Sequence, residues 1–169
     1  MAYVALDLGY SSAATTNARA ALLSAQTAGD ARLAAWVRGT QSLIARFSGN
    51  FTQARDYARE GLSYQAGGTA PARLWSAEAQ SLAHLGDHAG TRNALSQARR
   101  VLSHDDNHGE VGPFTFTAAK QAFYAGSSLI WLDDKEDAIT AAAESTVPVA
   151  TGAPSRSPSS RASRPVGRC

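Results

Sequence analysis

The chain has 169 residues, 44 % of them hydrophobic and 18 % charged, which is enough material for one ordinary domain and too little for two large ones. Its formal net charge is +2, yet residues 1–146 hold 12 Lys and Arg against all 14 Asp and Glu, a balance of −2, while residues 147–169 hold four Arg and no acid. No apolar run approaches the roughly 20 residues a bilayer requires, the opening stretch lacks a basic n-region, and the single cysteine, Cys169, excludes an intrachain disulfide or a Cys-based zinc site. A cytoplasmic location is expected.

Thirty-five alanines and only six prolines favour helix. A short stretch at 2–8 precedes Gly9. Apolar periodicity of 3.6 then predicts helices at 12–27, 31–47, 51–64, 71–85, 88–103, 116–132 and 135–145. Turn signals separate them at 28–30, 48–50, 67–69, 86–87 and 133–134, and a polar Asp/His/Gly-rich connector occupies 103–115. No segment alternates with period two, so no strand is expected. The stretch 147–169 is rich in Pro, Ser and Arg without periodicity and reads as a disordered tail behind a helical domain at 1–146.

The helices repeat. Anchored on Gly9, Gly49, Gly86 and Asp133, the position five residues on is Ala14, Ala54, Thr91 and Ala138. Nine residues on stand Ala18, Ala58, Leu95 and Ala142, and twelve on Ala21, Gly61, Ala98 and Ser145. Small or aliphatic residues thus recur on one helical face, where they let neighbouring helices approach closely. The anchors are 40, 37 and 47 residues apart, wider than the roughly 34 of the commonest helical-hairpin repeat, with the excess in the loops.

The stretch from Gly49 to Leu62 (GNFTQARDYAREGL) resembles the tetratricopeptide pattern G-[DN]-[YF]-x-x-A-x-x-[YF]-x-x-x-A-L. The resemblance implies an all-α solenoid of three to four antiparallel helical hairpins. Across residues 2–146 the chain is similar to the C-terminal repeat region of actinobacterial helix-turn-helix regulators of the xenobiotic-response-element type, carried by residues 28–47, 79–87 and 118–132. That family implies a sensor or interaction part of a transcriptional regulator. DNA contact is expected only through an N-terminal domain not recognisable in this sequence. The stretch before Gly9 is short for a first helix and no polar capping helix follows 146, so the chain reads as a piece of a longer protein. Uncapped repeat ends would also permit a homo-oligomer. The alternatives are a stand-alone adaptor and a truncated remnant.

The resemblance places a peptide-binding groove on the first helix of each hairpin. The inward positions would be Trp36, Leu43, Arg46 and Phe47; Arg73, Ser76, Gln80 and His84; Lys120, Phe123, Ser127 and Trp131. Cations beside aromatic surface suit an acidic or aromatic protein or peptide partner. The competing expectation is that Trp36, Phe47 and Trp131 are inter-helix core. The Lys/Asn pattern of chaperone-tail-binding repeats is missing, because Gly39, Ser76 and Phe123 fill one key position and Leu43, Gln80 and Ser127 another.

No catalytic constellation is recognisable: there is no Gly-x-Ser-x-Gly elbow, no phosphate-cradling loop, and no thiol outside the tail. A non-catalytic binding module is therefore expected, with no cofactor. His104 and His108 flank two aspartates, but the pair straddles a helix end and reads as a solvated stop rather than a metal site. The tail arginines Arg156, Arg161, Arg164 and Arg168 have no interleaved aromatic for base stacking.

Overall fold

The computed structural model describes residues 9, 11–103 and 114–146. Among them are seven α-helices and no strand: α1 (Ser11–Thr27), α2 (Ala31–Phe47), α3 (Phe51–Ser63), α4 (Ala70–His84), α5 (His88–Ser103), α6 (Ala118–Trp131) and α7 (Lys135–Thr146). The protein is all-α in these residues, and none of these helices is long and apolar enough to cross a membrane. The expected helix at 2–8, the His104 and His108 pair and the tail at 147–169 lie outside the described residues.

The four anchor residues share one backbone conformation. Gly9, Gly49, Gly86 and Asp133 all have positive φ, at +79°, +73°, +75° and +58°. Only glycine adopts this left-handed region without cost, and Asp tolerates it better than most side chains. Behind the last three anchors the same bond closes the helix: Asn50 N donates to Ala45 O (2.9 Å), Asp87 N to Leu82 O (3.0 Å) and Asp134 N to Leu129 O (3.1 Å). The following residue then caps the next helix. Asn50 Oδ1 accepts from Gln53 N at 3.2 Å and Asp87 Oδ1 from Gly90 N at 2.8 Å. Such short turns reverse the chain, so α2 with α3, α4 with α5, and α6 with α7 form hairpins.

The hairpins pack through α2, α4 and α6. Each of these lies against the next, while α1, α3, α5 and α7 touch only the helices of that layer and not one another. Helix α4 is central, flanked by α2, α3, α5 and α6, and twelve of its 15 residues are buried. A helix surrounded in this way is mostly apolar or small, and its buried polar residues Arg73, Glu78 and Gln80 must find partners inside. Here the small residues dominate: of the fully buried side chains the largest is Leu74, followed by threonine and serines. Ser76, Ser81 and Ser128 satisfy themselves by donating to the carbonyl four residues back at 2.8–2.9 Å.

Small residues set the spacing. A Cβ on Gly61 of α3 would lie 2.5 Å from Leu74 Cδ2, and one on Gly39 of α2 would collide with the Arg73 guanidinium. Ala14, Ala18, Ala54, Ala58, Thr91, Leu95, Ala98 and Ala138 are buried at the expected register positions. Of the alanines at these positions, two depart. Ala142 is exposed, and Ala138 and Ala141 make the contact with α6 instead. Ala21 is exposed as well, with Leu22 and Ala25 completing the buried stripe of α1. Both lie on the first and last described helices, each of which packs against only one other described helix.

Candidate functional site

The positive-φ turns bring the last residues of α2, α4 and α6 to one edge. Phe47, His84 and Trp131 are those last residues. Phe51, which opens α3 immediately beyond the Gly49 turn, stacks on His84 with ring centroids 4.1 Å apart and planes 6° from parallel. His84 in turn meets Trp131 at 4.1 Å and 46°. Three rings from three hairpins thus form a continuous row. Trp131 is 63 % exposed and Phe47 66 % exposed, so neither is inter-helix core, whereas Trp36 is buried.

Arg46 completes this edge. Its guanidinium lies 5.2 Å from the Phe47 ring centroid, half buried, and has no hydrogen-bond or ion-pair partner among the described residues. Desolvation pushes it below the usual arginine value, with Tyr124 acting in the opposite sense, but a guanidinium stays charged at neutral pH. Desolvation also lowers the His84 imidazole, and the Arg46 charge adds to that effect. Both effects favour the neutral imidazole for His84 in the row.

One turn back from this edge the expected groove is closed. Gln80, Ser76 and Arg73 are buried rather than exposed on an open surface. Gln80 Nε2 donates to Ser127 Oγ at 2.7 Å, and Ser127 Oγ donates to Tyr124 O at 2.9 Å. Arg73 is turned into the interior: Nη1 donates to Trp36 O at 2.5 Å, Nη2 to Thr40 Oγ1 at 3.2 Å, and the guanidinium carbon sits 4.4 Å from the Trp36 ring centroid. The reason is steric. Gly39 offers no Cβ, so the Arg73 head group enters the space between α2 and α4 and finds acceptors there. Gln80 and Arg73 thus tie the helices together and do not line a ligand surface.

On α6 the exposed side continues the edge. Phe123 is 63 % exposed, and the exposed Lys120 turns its Nζ onto Thr115 O at 3.0 Å. Of the predicted groove residues the structure brings Phe47, His84 and Trp131 to one edge with Arg46, leaves Phe123 and Lys120 further along α6, and sequesters Arg73 and Gln80. The missed member is Phe51. Its signal was its place two residues after the Gly49 anchor, on a turn that returns the chain past the end of α2.

Comparison with known families, curated proteins and solved structures finds no match for this chain.

Proposed function

We propose that the chain is a tetratricopeptide-type α-solenoid acting as a non-catalytic module that binds a protein or peptide along the edge formed by Phe47, Phe51, His84 and Trp131. The repeat reading is supported by separation as well as by turns. Arg73 bonds to Trp36 across 37 residues and Gln80 to Ser127 across 47, the spacings of Gly86 from Gly49 and of Asp133 from Gly86. A contiguous layer of α2, α4 and α6 beside helices that do not touch one another supports the reading of a curved array with that layer inside.

The observation that carries the binding reading is exposure. A Trp and a Phe more than three-fifths exposed, at equivalent helix ends and flanked by a guanidinium without a hydrogen-bond or ion-pair partner among the described residues, leave apolar surface in water. Such aromatic and arginine clusters are the composition of interface hot spots. The sensor part of a bacterial transcriptional regulator is the role that the family resemblance favours. Panning a random dodecapeptide library against the full chain tests the module: enriched peptides should lose at least about tenfold in affinity on Trp131→Ala, about 1.4 kcal/mol. Enriched peptides indifferent to Trp131→Ala would refute it.

A further inference from the structure

The edge is chemically polarised along its length. At the α2 end stands Arg46, half buried and without a partner among the described residues. At the α6 end Trp131 is followed by Asp133 and Asp134, whose carboxylates pair with Lys135 (3.3 Å) and Arg92. Other arginines near the same helices are engaged: Arg38 with Glu60 at 2.6 Å, and Arg73 with Trp36 O. Among the described residues of this edge, Arg46 is thus the cation left for a ligand.

From this we infer the chemical class of the partner: a peptide segment that sets a Glu or Asp side chain on Arg46 and an aromatic side chain on Trp131. The inference rests on the peptide-binding reading above. A desolvated guanidinium gains more from a carboxylate than a hydrated one does, since the low local dielectric strengthens a charge-assisted hydrogen bond. Beside Trp131 the nearby cations Lys135 and Arg92 are already paired with Asp133 and Asp134, so a carboxylate is better placed at the Arg46 end of the edge. A side-chain carboxylate fits better than a terminal one. Capture of a chain terminus uses clustered backbone N–H groups, and at this edge one amide of each helix start, Gln53 N and Gly90 N, is already taken by Asn50 and Asp87.

The test uses two focused dodecapeptide libraries displayed on phage, identical in their apolar positions. In one the charged positions encode Asp or Glu, and in its twin Lys or Arg. The full chain should enrich clones from the acidic library alone. Those clones should bind Arg46→Gln at least about tenfold more weakly and Arg46→Lys with a smaller loss. They should bind Arg19→Gln, altered in a separate recess of about 240 Å³ between α1 and α3, as they bind the parent. Circular dichroism of each variant checks folding. Enrichment of the basic twin, or acidic clones indifferent to Arg46→Gln, would overturn the acidic class while leaving peptide binding in place. Enrichment from neither library would overturn both.

Discussion

Gln80 on α4 donates through Nε2 to Ser127 Oγ on α6 at 2.7 Å, inside a layer where Gln80 is 5 % exposed and its Oε1 has no partner among the described residues. This bond joins the central hairpin to the last one through a buried amide and a partly buried hydroxyl. Removing only one partner should therefore be worse than removing both. Ser127→Ala strands the buried amide and should cost about 1–3 kcal/mol in urea unfolding, whereas adding Gln80→Met on that background should recover most of the loss. A double variant no better than Ser127→Ala would mean that the bond adds nothing beyond packing.

The three anchor turns differ in one residue type. Gly86 sits at φ +75° and Asp133 at φ +58° in turns closed by equivalent bonds. Gly86→Ala should destabilise by about 1–2 kcal/mol, the cost of a Cβ in left-handed backbone. Asp133→Gly should stabilise, by less than that, because its exposed ion pair with Lys135 at 3.3 Å contributes little. Thermal melts of the two variants measured together give the comparison directly.

How much was legible in the sequence follows from these same positions. Helix bounds were read to within about two residues because Gly49, Gly86 and Asp133 mark stops while Asn50, Asp87 and Asp30 mark starts. The buried faces of the inner hairpins followed from Ala54, Ala58 and Ala98, since small residues recurring at that spacing let neighbouring helices approach. What pattern alone did not give was the fate of each polar side chain. Arg73 and Gln80 occupy inward positions, yet Arg73 goes inside because Gly39 leaves a space, which is a fact about two helices at once. Phe51 was missed for a similar reason: its place beside His84 depends on a turn, not on helical periodicity.

Close approach at Gly61 is a second sign of tight packing. Alanine is the better helix former by about 1 kcal/mol, so an exposed Gly61→Ala would stabilise. Here the added methyl meets Leu74 Cδ2 at 2.5 Å and Arg38 Cβ at 3.1 Å. Net destabilisation of about 1–3 kcal/mol is expected, partly relieved by Leu74→Val. The larger overpackings Ala54→Trp and Ala98→Trp, at sites with no exposure, should abolish the helical far-ultraviolet signal. Retention of full helicity by both Trp variants would show the register to be wrong.

His84 gives the fold a pH dependence of known sign. Its imidazole is held below the usual histidine value, by desolvation first and the Arg46 charge second. The unfolded chain therefore takes up the proton before the folded one, and the stabilisation present above the ordinary value near 6.5 is lost as pH falls through it. His84→Phe should keep the stack with Phe51 and reduce the loss of stability between about pH 7.5 and about pH 5. A variant with the parent's full pH slope would contradict this assignment.

The central claim is that the Phe51, His84 and Trp131 row receives a ligand. The chain has three tryptophans, with Trp36 buried, Trp75 partly buried and Trp131 63 % exposed, so their three indole N–H resonances separate the row from the core. Titrating an enriched acidic-aromatic peptide into the ¹⁵N-labelled full chain should move the Trp131 indole resonance in a saturable way and leave those of Trp36 and Trp75 in place. A peptide that binds while the Trp131 resonance stays fixed would contradict the account.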